Sequence, residues 1–278
     1  MFIALNIGLT LFFIYTIRNI TFQTNLGDFA PQKHPYVLVQ KELTRIFGGL
    51  NQVSIAIRVK EGDIFNYETL ARVDRITRKL YLMDGINAGR VVSLSARKVK
   101  NTVATPEGFV TKRLMRDPPA TQEALARLKA IATGNPLIYR VMVSRDLKAT
   151  LIQADFASDV SSKRIFKELN QIIKPERDSN TEIYIAGRPI LEGWLNFYLP
   201  RMIKVFLITL LIMVGILYFA FKSKRGVLLP VFSSLMAVVW GLGILTLCGF
   251  QLNPATMLVP FLILALGVSH SLQLIKRY

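Results

Sequence analysis

The apolar positions of this chain fall into two regimes. Between residues 18 and 204 they recur at short intervals among charged positions, whereas residues 205 to 221 and 226 to 275 contain no Asp, Glu, Lys or Arg. About 20 mostly apolar helical residues are needed to cross the hydrocarbon of a bilayer. Four segments meet or approach that length: 1–17, 202–221, 226–250 and 252–275. The uncharged run from 226 to 275 is too long for one helix, and Gly249-Phe250-Gln251-Leu252-Asn253-Pro254 supplies turn chemistry for a hairpin.

The polar stretch, residues 18–201, shows strand and helix periods in alternation. Asn51 to Lys60 alternates and is rich in Val and Ile, as a strand should be. Asn66 to Met83 follows as a helix, with Leu70, Val73, Ile76 and Leu80 on one face and Asn66 at the cap position. Gly89 to Ser95 reads as a second strand, and Lys98 to Pro119 as an aperiodic connecting insertion. Thr121 to Thr133 reads as a helix, Leu137 to Val143 and Thr150 to Phe156 as strands, Ser161 to Ile173 as a helix and Glu182 to Ala186 as a strand. The expected fold is an α-helical transmembrane bundle of about four helices plus an α+β domain of ferredoxin-like type, with helices on one face of a mixed sheet.

Composition agrees with a membrane protein: 51% of the 278 residues are hydrophobic and mean hydropathy is +0.37. Residues 1–17 lack the basic flank and the small-residue cleavage site of a signal peptide, so they read as an uncleaved anchor, with a natural start upstream of Met1 suggested by the missing basic residues. Short loops carry the orientation signal. Lys222, Lys224 and Arg225 in one loop, and Lys276-Arg277 after the last segment, are expected on the cytoplasmic side. Residues 18–201 then face the periplasm or the exterior of a multi-pass protein of the cell (inner) membrane.

The net charge is +17, and residues 18–204 hold 30 of the 35 Lys and Arg and all 18 acids. Nucleic acid is the usual partner for such an excess, but a domain facing away from the cytoplasm is poorly placed to meet it. A solvated basic face, or attraction to anionic lipid headgroups, fits better. One cysteine, Cys248, excludes an intrachain disulfide and reads as a small buried apolar residue.

No catalytic constellation, cofactor motif or metal set is visible, so the chain is not expected to be an enzyme. His34 sits in Pro31-Gln32-Lys33-His34-Pro35, which reads as a loop, and Gly48-Gly49 is a turn without the Lys-Ser/Thr of a phosphate loop. Asp28, Glu61 and Asp63 read as caps or surface charges. Any transport must draw on a gradient or on another polypeptide.

The last two apolar segments carry small residues four apart: Ala237 and Gly241, Ala265 and Ser269, Gly267 and Ser271. With Gly243 they are candidates for close helix packing. Ser269-His270-Ser271 adds polar side chains near the basic end, and an ionisable group in a membrane helix is a functional-site hypothesis. His270 reads either as a proton-relay member, with Ser269 beside it, or as an interfacial histidine hydrogen-bonded across helices.

Taken together, Lys222 to Pro230, Trp240-Gly241-Leu242-Gly243, Gly249 to Asn253, Gly267 to Ser271, Lys276-Arg277-Tyr278 and the junction Ala186-Gly187-Arg188-Pro189-Ile190 resemble the MMPL-type branch of the resistance-nodulation-division (RND) exporter superfamily. The order of helix, large porter domain and three further helices agrees with that likeness over nearly the whole chain. The resemblance implies an exporter of lipids or other hydrophobic compounds, driven by the proton motive force and completed by a second transporter half or by homo-oligomerisation. Its partners would be membrane lipids and a hydrophobic or amphiphilic substrate. It also implies a non-transporting alternative, a scaffold or lipid sensor built on a sterol-sensing-like bundle. One departure stands out: proton-coupled members carry an Asp at the position of Ser269, and no acid follows Glu192 in this chain. Either His270 substitutes, or the coupling acids lie in a second half, or transport takes another route. With three helices after the outer domain, the chain looks like the first part of a transporter.

Overall fold

The computed structural model describes residues 2–20, 30–49, 51–106, 108–253 and 256–277. Asp28, Pro254 and Tyr278 lie outside them. The chain divides into two compact units: Ala30–Trp194, and Met1–Phe29 together with Leu195–Tyr278.

The first of these is the polar unit. It contains α2 (Pro35–Phe47), β1 (Asn51–Val59), α3 (Tyr67–Leu80), β2 (Lys100–Thr105), β3 (Gly108–Arg113), α4 (Gln122–Gly134), β4 (Ala149–Phe156), α5 (Ser162–Ile173), β5 (Thr181–Gly187) and the first residues of α6 (Arg188–Phe221). Strand β1 is central, paired antiparallel with β4 on one side and with β5 on the other. The sheet is therefore wholly antiparallel, which corrects the expected mixed sheet.

Alternation along β1 decides which face is covered. Asn51, Val53, Ile55, Ile57 and Val59 are buried, while Gln52 and Arg58 between them are exposed. The apolar members of the buried row pack with Leu70, Val73, Ile76 and Leu80 of α3, Leu125 and Leu128 of α4, and Ile165, Leu169 and Ile173 of α5 in one continuous core. Each such side chain taken from water contributes about 1.5–3 kcal/mol, so this core dominates the unit's stability. The helices start where side chains accept the free N–H groups of the first turn: Asn66 from Thr69, Thr121 from Ala124, and Ser161 from Arg164.

Three segments differ from the sequence reading. Residues 89–95 form no strand; a 3₁₀ turn (Ala88–Arg90) lies between two isolated antiparallel bridges, Ile86 opposite Phe156 before it and Val92 opposite Gln153 after it. Residues 137–143 likewise form turns, with Arg140 at φ +68° and single bridges at Val143. The stretch 98–119 contains the β2–β3 hairpin in register Val103 opposite Val110. Residues 31–34 form the expected loop, and the helix Pro35–Phe47 that follows had no counterpart in the sequence reading: His34 is its cap, its ring accepting from the Tyr36 N–H at 3.3 Å, and Pro35 occupies the first turn. Gly48 and Gly49, at φ +68° and +89°, end that helix in the turn expected of them.

The second unit is helical: α1 (Phe2–Ile17), the remainder of α6, α7 (Lys224–Leu247) and α8 (Val259–Arg277), the last preceded by a 3₁₀ turn at Thr256–Leu258. Among the described residues, three helices are long and apolar enough to cross a membrane, at 188–221, 226–247 and 256–274, and 4–17 is a shorter apolar helix. At 1.5 Å per residue, the 16 residues of α1 span about 24 Å, somewhat less than the ~30 Å hydrocarbon core. Helix α7 stops at Leu247, before the expected Phe250, and Cys248 caps it. Cys248 is exposed, not buried, because it stands past the packed part of α7.

Candidate functional site

Helices α7 and α8 meet along a seam of small residues. Gly267 of α8 faces Ser234 of α7, and a Cβ on Gly267 would lie 2.7 Å from the Ser234 Oγ and 3.2 Å from its Cα. One turn further along α8, the Ser271 and Ser233 hydroxyls are 2.9 Å apart. Ser271 also bonds the Gly267 carbonyl at 2.8 Å, and Ser234 the Pro230 carbonyl at 2.7 Å. The hydroxyls thus satisfy backbone acceptors of their own helices and cross-link the pair. Pro230 lacks the N–H of an ordinary helical residue, and both Ser233 and Ser234, one turn further along α7, donate their hydroxyls to its carbonyl.

Gly241 and Gly243 serve different neighbours, since two residues of a helix are about 200° apart around its axis. A Cβ on Gly241 would stand 2.8 Å from Ile263 Cδ1 of α8, and one on Gly243 would overlap the Phe13 side chain of α1. Phe13 is buried and its ring lies 6.1 Å from that of Trp240, whose indole N–H donates to the Thr10 hydroxyl at 3.0 Å. No sequence pattern signals this Thr10 and Trp240 bond, because nothing local links positions so far apart. Leu217 of α6 joins Val227 and Val268 in a small buried cluster, and Phe206 meets Phe261 edge to face at 5.0 Å.

The predicted polar residues divide. Gly241, Gly243, Gly267 and Ser271 line contacts between helices, whereas Ala265, Ser269 and His270 lie on exposed positions of α8. Among the described residues His270 makes no side-chain hydrogen bond, so the cross-helix bond considered for it is not formed here. No group of three His, Cys, Asp or Glu side chains suited to a metal occurs among the described residues.

In the polar unit the basic residues of α3 are bound into ion pairs rather than simply solvated. Arg72 is buried and meets Asp178 and the Thr181 hydroxyl, Arg75 and Lys79 share the buried Glu176, and Arg78 joins Asp74 and Asp117. Burial pushes the Glu176 carboxyl up, but hydrogen bonds from Arg75 and Lys79 outweigh it and hold the group below its ordinary value. Asp178 is held low in the same way: burial opposes, and bonds from Thr181 and Arg72 prevail. Asp63 accepts from the Phe65 N–H and pairs with Lys129 at 2.6 Å, a local structural role, whereas Glu61 is exposed and is tied to Asn180 through its backbone N–H. Asp155 is buried against Arg90 at 2.8 Å, with its second oxygen unpartnered, beside a cleft of about 760 Å³ lined by the end of α2 and residues 85–90.

Residues 201–277 match the family model described as the Patched sterol-sensing domain. The match covers most of α6 and all of α7 and α8, and so contains the whole small-residue seam. The chain is also 21% identical, over 286 residues, to a protein of Methanocaldococcus jannaschii named as a membrane protein, an alignment spanning 97% of this chain and 69% of that one. These likenesses support a membrane protein of the RND and sterol-sensing type, without singling out the MMPL branch.

Proposed function

We propose that this chain is part of an RND-type transporter of the MMPL kind, moving lipids or other hydrophobic compounds outward at the expense of the proton motive force. The observation that carries the reading is the close-packed α7–α8 seam inside the stretch that matches the Patched sterol-sensing domain. Small residues and paired hydroxyls let two helices approach and slide with little side-chain obstruction, which a bundle that changes conformation requires.

The order of elements supports the same reading: one apolar helix, a polar unit, then three long apolar helices. In this reading α1 is a fourth crossing, the 222–225 loop is cytoplasmic, and the polar unit is a ferredoxin-like porter domain facing the periplasm or the exterior. The β4-β1-β5 order, extended beyond β4 by the bridges at Ile86 and Val92, supports that fold. The protein works without catalytic chemistry or a cofactor, and a second half or further copies complete the pathway. No nucleic acid takes part.

Coupling needs a group that changes charge during the cycle. The chain offers His270, with Ser269 beside it, on the exposed side of α8, where a second half would cover them. Cells producing the protein should export a labelled lipid analogue in a manner abolished by a protonophore. Unchanged proton-dependent export by His270→Gln would assign coupling to acids in another half. The second reading, a lipid sensor, draws on the sterol-sensing match itself; lipid-dependent changes in the bundle with no movement of lipid would select it.

A further inference from the structure

Two cavities of the polar unit share a wall, and their chemistries are complementary. One, of about 480 Å³, is lined by Arg78, Arg97, Arg113 and Arg116 together with Tyr81 and Ser95. The other, of about 710 Å³, runs between the β2–β3 hairpin and α4, with Val103, Val110, Leu114, Leu128 and Ile131 in its apolar lining and Lys112 and Arg127 in its polar lining. Arg113, Arg116 and Asp117 belong to both.

The acids in the basic cavity are already engaged. Asp74 is buried, its two oxygens taken by the Ser95 hydroxyl at 2.5 Å and by Arg78 Nε at 2.6 Å. Asp117 accepts from Arg78 Nη2 at 3.0 Å and lies 3.9 Å from Arg116. Four arginines against two aspartates leave two positive charges in excess. Arg97 and Arg113 meet no carboxylate among the described residues: Arg97 is laid over the Tyr81 ring at 4.8 Å, and Arg113 donates one Nη to the Ser95 carbonyl at 2.9 Å. Both guanidiniums are thereby positioned with donors left to give, the preorganised state that favours an oxyanion.

The hairpin supplies the apolar half. Register pairs Val103 with Val110, and with Asn101 and Lys112 these residues share the face turned to α4. On the opposite side of the groove Leu128 and Ile131 present the α4 face, so an alkyl chain would be clasped between a strand pair and a helix. The exposed Val103 and Val110 would lose water on its arrival.

We infer that these joined cavities form a binding site for an anionic amphiphile, with its phosphate or carboxylate among Arg78, Arg97, Arg113 and Arg116 and its alkyl chain beneath the hairpin. The site names the class of hydrophobic compound that the proposed transporter handles and to that extent rests on that reading.

The test uses the full chain in neutral detergent and the fluorescent amphiphile dansylaminoundecanoate. Saturable binding is expected, displaced by dodecyl phosphate and not by inorganic phosphate at the same concentration. Arg97→Gln with Arg113→Gln should weaken binding by at least about tenfold, while the uncharged methyl ester of the probe binds these variants as it binds the parent. Lys163→Gln with Lys167→Gln removes the same charge from α5 and should change nothing, and Val110→Asp should weaken both probe forms. Displacement by inorganic phosphate as effective as by dodecyl phosphate would reduce the site to a free-anion site and overturn the proposal. Wild-type affinity in the double arginine variant, or in Val110→Asp, would overturn it equally. Probe binding in a chain that exports no lipid would leave this site standing and remove the transport reading alone.

Discussion

Gly267 and Ser234 bring α8 and α7 closer than any side chain at position 267 would allow, since an added Cβ would meet the Ser234 backbone as well as its hydroxyl. Two effects oppose each other on substitution. Alanine favours a helix over glycine by about 1 kcal/mol, whereas overpacking a closed interface costs about 1–3 kcal/mol. Because a backbone atom at 3.2 Å cannot rotate away, overpacking wins. Gly267→Ala should lower the thermal midpoint of the purified protein in detergent, Gly267→Leu should lower it further, and Ser234→Gly should restore part of the loss in Gly267→Ala. A Gly267→Leu protein as stable as the parent would show that the helices do not pack this closely.

His270 should contribute little to the fold. It is exposed on α8 and its side chain makes no hydrogen bond among the described residues, so His270→Gln should leave the thermal midpoint within the range of an ordinary surface change, about 0.5 kcal/mol. A large loss would mean that the side chain is buried against another helix.

The polar unit should weaken in acid. Glu176 and Asp178 are both depressed below their ordinary values of 4.5 and 3.8. A carboxylate with a lowered native pKa contributes stability that is fully present above its unfolded value and is lost as pH falls through the native one. Loss should therefore begin near pH 4.5 and continue below it, as followed by circular dichroism. Glu176→Gln should flatten the upper part of that curve and cost about 2 kcal/mol at neutral pH, the scale of a lost charged hydrogen bond.

Arg90 and Asp155 should respond unequally. Arg90 is 42% exposed and can hydrate when alone, but Asp155 is 8% exposed and already has one oxygen without a partner. Arg90→Ala leaves a buried charge uncompensated and should cost about 3 kcal/mol, the low end for a broken buried pair. Asp155→Ala should cost clearly less in the same unfolding measurement; equal losses would mean that water reaches Asp155 freely.

Several features were legible because their causes are local. Asn66, Thr121 and Ser161 cap their helices as their residue types suggest, and the period of Leu70, Val73, Ile76 and Leu80 placed α3 on the core. The β2–β3 hairpin was missed for a physical reason: β3 buries no residue, so its apolar positions obey no core-facing alternation and its strands are held by each other. Helix α2 was missed in a similar way, for it also buries no residue, although His34-Pro35 carried the cap and first-turn signal. The expected strands at 89–95 and 137–143 had the right residue types, but each makes only isolated bridges, and β propensity alone cannot supply a partner.

The site divides along the same line. Sequence alone determined which segments are apolar enough for a membrane, that small residues recur four apart on the last two helices, and that no acid follows Glu192. These are matters of composition and period, and they survive any arrangement of the chain. Tertiary structure alone decided that Gly267 rather than Ala265 faces Ser234, that Gly241 and Gly243 serve different helices, and that Thr10 meets Trp240. It also decided that Arg97 and Arg113 meet no carboxylate among the described residues while the α3 cations are paired. Which of two equally small faces a helix buries, and which of many arginines finds an acid, depends on contacts between residues distant in the chain, and no local pattern encodes those contacts.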